Sequence, residues 1–207
     1  MSQTKSSQRW LARHRKDEYV KRARKEGVRS RAAYKLEEMD QRDHLLRPGM
    51  TVVDLGAAPG GWSQYVKSRV GRSGRVLALD VLPMEPIDGI EFIEGDFTAQ
   101  AVLDLLMERL QGKPVDLVIS DMAPNMTGVA SVDQAHSINL AELALDLADK
   151  TLKSGGCLLI KTFQGEGFNE FYAQMRRRFA KLVTRKPQAS RSESREIYLQ
   201  GQGFKGA

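Results

Sequence analysis

The stretch Thr51-Val52-Val53-Asp54-Leu55-Gly56-Ala57-Ala58-Pro59-Gly60-Gly61-Trp62 decides the architecture. A short apolar run ends in an acid, breaks into a Gly/Ala/Pro turn, and reopens as a helix-like segment from Trp62 to Val70. A Val/Leu run without polar alternation is the pattern of a strand covered on both faces. Strand, Gly-rich turn and helix together open a parallel α/β sheet. The turn lacks the G-x-G-x-x-G spacing that seats a pyrophosphate on a helix N-terminus. Gly56 and Gly60 instead bracket Ala-Ala-Pro, which lets backbone approach an apolar or zwitterionic ligand.

The alternation continues outward from this unit. Arg75 to Val81, Ile90 to Ile93, Val115 to Ser120, Cys157 to Phe163, Leu182 to Arg185 and Glu196 to Leu199 read as strands. Ala101 to Leu110, Val132 to Leu152 and Phe168 to Phe179 read as helices. Upstream, Ser30 is the expected N-cap of a helix running to about Leu46, with Ala33, Leu36 and Met39 on its apolar stripe and Pro48-Gly49 as its stop. The predicted fold class is α/β, a doubly wound, mostly parallel sheet. Such a sheet binds its ligand beyond the carboxyl ends of its strands.

The 207 residues suit one domain, and 41% apolar with 28% charged side chains excludes a disordered or fibrous chain. No apolar run approaches the ~20 residues of a membrane span, and the basic N-terminus has no apolar stretch behind it to make a secretory signal. One cysteine, Cys157, excludes an internal disulfide, and three scattered histidines, His14, His44 and His136, offer no metal site. These features predict a cytoplasmic protein without metal. The net charge of +6 is unevenly placed. Residues 1–31 hold 11 basic and 3 acidic side chains, residues 172–207 hold 9 and 2, and the centre is acidic. Two basic ends suggest a polyanion held by salt-sensitive contacts, although a solvated basic tail has the same composition. Trp10 and Tyr19 stand among Arg9, Arg13, Arg15, Lys16, Lys21 and Arg22, a mixture suited to an RNA backbone and stacked bases.

Acids close the successive strands. Asp80 lies twenty positions after Gly60, where it would accept the hydroxyls of a ribose, and Asp96 would accept from an adenine amino group. Strand-end acids with a Gly turn describe a site for a nucleoside without phosphates, of which S-adenosylmethionine is one. Gly turns and strand-end acids also occur in open α/β sheets of other function. Asp121 and Lys161 end two strands expected to be neighbours. A lysine there either extends its ammonium to solvent or, desolvated near another cation such as Lys35, sheds its proton and acts as a base.

Four blocks carry a resemblance: Arg29-Ser30-Arg31-Ala32-Ala33-Tyr34-Lys35-Leu36, Val53 through Gln64, Ser120-Asp121-Met122-Ala123-Pro124-Asn125, and Leu159-Ile160-Lys161-Thr162-Phe163. In this order the chain resembles the FtsJ-like ribosomal RNA large subunit methyltransferase E family over nearly its whole length. The resemblance implies a Rossmann-like S-adenosylmethionine-dependent methyltransferase fold with its last strand antiparallel. It implies methyl transfer to the 2′-oxygen of a uridine ribose in large-subunit ribosomal RNA. It further implies a tetrad of Lys35, Asp121, Lys161 and Glu196, and cofactor contacts at Gly60, Trp62, Asp80, Asp96 and Asp121. The expected organisation is a basic RNA-contacting extension over 1–29, one methyltransferase domain over 30–200, and a disordered Gly-rich tail over 201–207, acting as a monomer on RNA within the large subunit or its precursor, away from membranes. The alternatives are 2′-O-methylation of transfer RNA or another structured RNA, and a non-catalytic RNA-binding assembly factor. The Asp121-to-Asn125 segment fits an amino-methylating motif poorly, since no aromatic follows Asn125.

Overall fold

The protein is described by a computed structural model over residues 17–124, 126–191 and 194–206. The expectations that rest on Trp10 and the basic residues before Asp17, on His14, on Asn125 and on the final Ala207 lie outside the described residues. Two helices, α1 (Glu18–Glu26) and α2 (Ala33–Asp43), precede β1 (Thr51–Leu55), α3 (Gly61–Val70), β2 (Arg75–Asp80), β3 (Glu91–Glu94) and α4 (Gln100–Leu110). Then follow β4 (Val115–Ser120), α5 (Ala130–Thr151), β5 (Leu152–Phe163), α6 (Phe168–Arg178), β6 (Phe179–Arg185) and β7 (Glu196–Phe204).

The strands form a seven-stranded sheet in the order β3-β2-β1-β4-β5-β7-β6. Pairing is parallel from β3 through β5, and β7 runs antiparallel to both β5 and β6. Both faces are covered, so successive strand residues enter different cores. Leu158 and Ile160 pack with Leu106, Leu145 and Phe171 on one side. Leu159 packs with Leu36, Met39, Trp62 and Val66 on the other. The strand order reverses between β1 and β4, the place where an open sheet of this type takes its ligand.

Three sequence expectations need correction. The helix expected from Ser30 starts instead at Ala33, and its N-cap residue Ala32 makes no side-chain capping bond. It also stops before Leu46: His44 takes the left-handed conformation at φ 52°. Asp40 Oδ1 then accepts from the Leu46 N–H at 2.8 Å, so Leu45 and Leu46 stay buried without being helical. Second, residues 1–29 are not wholly an appendage. Within them α1 buries Val20 and Ala23, and Tyr19 packs on Tyr34 with ring centroids 5.7 Å apart. Third, the Gly-rich tail is strand as far as Phe204, with Gly201 opposite Leu158 and Leu182. A Cβ at Gly201 would meet the Phe179 ring at 2.5 Å, so glycine there makes room for an aromatic side chain.

Candidate active site

The carboxyl ends of β1, β2, β3, β4 and β5 define one rim, and the predicted site residues lie along it. The turn after β1 is fastened to β2 by its backbone. The N–H groups of Gly56 and Ala57 both donate to Leu79 O, at 2.9 and 3.0 Å, and Gly60 N–H donates to Ala57 O at 2.6 Å. Gly60 sits at φ 101°, and a Cβ there would meet Ile87 Cδ1 at 2.7 Å and Met84 Sδ at 2.9 Å. The left-handed φ is what disfavours a side chain at this position, and one placed there would also have to displace the ends of Ile87 and Met84. The Arg29 guanidinium ties the turn to the loop after β2 by donating to the carbonyls of Pro59, Glu85 and Pro86.

Asp80 accepts the Ala58 N–H and the Leu82 N–H, one on each oxygen and both at 2.8 Å. A carboxylate has about four acceptor positions, so two remain for ligand hydroxyls. Asp96 is exposed and takes both the Thr98 N–H and hydroxyl on Oδ1. This set of acceptors suits the hydroxyls of a ribose and an amino-bearing ring. Trp62 is placed differently from these residues. Its indole is buried, donates to Ala32 O at 2.7 Å, and lies 5.8 Å from the Tyr198 ring.

The charged residues form a continuous chain. Lys35 Nζ, on α2, contacts Glu196 Oε1 at 2.7 Å. The same ammonium donates to the Tyr198 hydroxyl at 3.0 Å, which in turn donates to Asp121 Oδ1 at 2.7 Å. Lys161 Nζ lies 3.0 Å from the same Asp121 oxygen and also donates to the Asp121 backbone carbonyl. The fold thus brings Lys35, Asp121, Lys161 and Glu196 together. Their register explains how: Lys161 pairs with Tyr198 and Phe163 with Glu196 across β5 and β7, so these four side chains share the face that α2 covers.

Burial would raise the Asp121 carboxyl, but the ammonium of Lys161, then that of Lys35, holds it below its ordinary range. Glu196 follows the same logic, with Lys35 outweighing burial. Burial, and then the neighbouring Asp121 and Glu196 carboxylates, push the Tyr198 phenol well above its usual range, so it stays a protonated donor. One member escapes sequence reasoning, and one readable acid takes an unforeseen partner. Tyr198 follows Glu196 at the spacing of one strand face, a signal that becomes usable once β7 is known to lie beside β5. Asp54, fully buried beneath the turn, accepts from Ser63 Oγ at 2.6 Å. Burial raises its carboxyl to about 7, against the hydrogen bond from Ser63.

A family profile described as FtsJ-like methyltransferase matches residues 28–204. A ribosomal RNA large subunit methyltransferase E from Stenotrophomonas maltophilia is 59% identical over 202 residues, 98% of this chain and 96% of that protein. One of the same name from Hahella chejuensis is 55% identical over the full length of both. A crystal structure of a ribosomal RNA methyltransferase from Plasmodium falciparum superposes with a TM-score of 0.78 at 30% identity, covering 86% of this chain and 100% of that one. Fibrillarin from Methanococcus jannaschii, at 18% identity and a TM-score of 0.54, shares the fold alone. With its profile match across the sheet and relatives of this identity over nearly their whole length, the chain belongs to the FtsJ-like methyltransferase family.

Proposed function

We propose that the protein methylates the ribose 2′-hydroxyl of a uridine in large-subunit ribosomal RNA, using S-adenosylmethionine. The observation that carries this reading is the unbroken chain Glu196–Lys35–Tyr198–Asp121–Lys161 at the strand-end rim, beside the turn built for a nucleoside. When bound, the cofactor supplies an already activated methyl group on a sulfonium. Gly60, Asp80, Asp96 and Asp121 would hold it, and Trp62 supports the floor under Tyr198.

What remains for the protein is alignment and the handling of one proton. Lys161 is the base or hydroxyl-orienting group. As a base Lys161 acts as the free amine, its two N–H bonds toward the Asp121 carboxylate and carbonyl and its lone pair left to take the 2′-hydroxyl proton; as an ammonium it orients the acceptor oxygen with its third N–H. Lys35 and Glu196 fix the ribose from the α2 side, while Tyr198 keeps the two ion pairs in register. Orientation of the reacting atoms contributes several kcal/mol, and a positioned proton acceptor typically adds 10² to 10⁴ in rate. The relatives named as large-subunit ribosomal RNA methyltransferases support the substrate assignment, and an RNA substrate of this kind supports a cytoplasmic site of action.

The test offers methyl-labelled cofactor to ribosomal subunits, naked ribosomal RNA and transfer RNA, and maps alkali-resistant linkages in each. Label is expected at one uridine of the large-subunit RNA. With Lys161→Ala, transfer should fall about 10² to 10⁴ while cofactor affinity stays within a few-fold. Label confined to transfer RNA overturns the substrate. Wild-type turnover by the lysine variant overturns the mechanism.

A further inference from the structure

Past the last tetrad pair the rim opens into a second hollow, which the transfer chemistry does not use. It has a volume of about 200 Å³ and is bounded by Phe163, Met126, Ser194, Arg195, Asp133 and Gln134. Its position follows from the sheet. Phe163 stands two residues beyond Lys161 on the same face and is paired directly with Glu196, while Ser194 and Arg195 lead into Glu196. Two strand residues span about 6.7 Å, the scale on which a nucleoside separates its sugar from its ring. The volume lies below the roughly 300 Å³ of common drug-sized pockets, which suits one flat ring.

The walls are held from behind, so they persist without a ligand. Gln134 Nε2 donates to Phe163 O at 3.1 Å and to Glu166 O at 3.0 Å, fixing the end of β5 to the start of α5. Asp133 Oδ1 takes the Thr127 N–H at 2.7 Å and its hydroxyl at 2.8 Å, while Oδ2 takes the Gly128 N–H at 3.2 Å. That carboxylate is therefore committed to shaping the loop that carries Met126. The contact surface offered to solvent is apolar and cationic: Met126 is 68% exposed, Phe163 is half-buried, and Arg195 is exposed. An aromatic face, a thioether and a guanidinium around one slot are the means by which proteins hold an unstacked base.

We infer that this hollow receives the nucleobase of the acceptor nucleotide, stacked on Phe163, so that its ribose is delivered to Lys161. The inference rests on the function proposed above and adds a residue set that selects a base turned out of its stack. An RNA whose acceptor nucleotide keeps its ribose but lacks the base separates the two. Wild-type protein is expected to lose about tenfold or more in kcat/KM on that RNA relative to the intact one. Phe163→Ala should lose as much on the intact RNA and little further on the abasic one, whereas Phe163→Tyr keeps near-wild-type activity. Met126→Ala, on an exposed side chain whose removal spares the fold, should lose several-fold on intact RNA alone, with cofactor binding unchanged. Equal wild-type rates on the two RNAs overturn the pocket and leave the transfer reaction standing. A Phe163→Ala loss of the same size on both RNAs also overturns it, since that pattern marks a structural role. Absence of methyl transfer to any RNA overturns the reading beneath it as well.

Discussion

Replacing Tyr198 by Phe removes one oxygen from the centre of the charged chain and keeps the ring that packs against Trp62. That oxygen donates to Asp121 at 2.7 Å and accepts from Lys35 at 3.0 Å, in a residue with no exposed surface. A hydrogen bond to an ion contributes about 1.5 to 3 kcal/mol. Neither charge is orphaned by the change, since Lys35 keeps Glu196 at 2.7 Å and Asp121 keeps Lys161 at 3.0 Å. The net loss should therefore be about 2 kcal/mol, less than the ~3 to 5 kcal/mol of a broken buried pair. For a domain of this length that is a fall of roughly 4 to 8 °C in Tm. The two ion pairs also lose their register, and kcat should drop about tenfold, equivalent to ~1.4 kcal/mol of barrier. The pH dependence separates this from a packing defect. Asp121 lies below its ordinary value, so its contribution is complete above the unfolded value and is lost as pH falls through the folded one. Without the hydroxyl that folded value rises toward the unfolded one, so the acid-dependent loss becomes smaller and is complete at a higher pH. Thermal melts from pH 3 to 8, with kcat/KM over the same range, measure both effects. A variant with wild-type Tm and an unmoved acid limb would refute the coupling.

Three other changes test neighbouring features. Asp54 is raised from 3.8 to about 7, so the folded state binds its proton more tightly and wild-type stability should decline from about pH 4 to pH 7. Asp54→Asn should remove that decline and be the more stable form above pH 7; parallel denaturation curves would refute this. Deleting residues 1–16 removes five basic and no acidic side chains while leaving α1 in place. Each lost phosphate contact should reduce the salt slope of RNA binding by about 0.7 to 0.9, measured by filter binding across salt, and an unchanged slope would assign this charge to solubility. Arg29→Ala frees the loop after β2 from Pro59 and should weaken cofactor affinity several-fold by calorimetry with Tm little changed, whereas unaltered affinity would show that the turn holds its shape unaided.

Legibility along the chain followed the locality of the physics. The turn from Asp54 to Trp62 and the acids Asp80, Asp96 and Asp121 were readable because apolar strands ending in Gly or acid are local patterns. The partnership of Lys35 with Glu196 was available only through the family resemblance, because they stand 161 positions apart and α2 must fold back over the rim. Tyr198 gave no signal by itself: an aromatic in a strand is ordinary, and its hydroxyl acquires meaning from the insertion of β7 between β5 and β6. The strand through Gly201 and Gly203 was hidden by composition, since glycine favours irregular backbone unless a neighbour such as Phe179 needs the space. The helix α1 was hidden by its charge, which masks the two small apolar side chains, Val20 and Ala23, that dock it.

The placement of β7 has a consequence for how the protein is made. Synthesis runs from the N-terminus, so the parallel half of the sheet and the nucleoside turn leave the exit tunnel first. Glu196 and Tyr198 emerge near the end, on the strand that lies between β5 and β6 in the finished sheet. A chain interrupted before that point keeps the turn after β1 yet lacks two links of the charged chain. On the proposed roles of those residues, a product stalled there is expected to lack transfer activity.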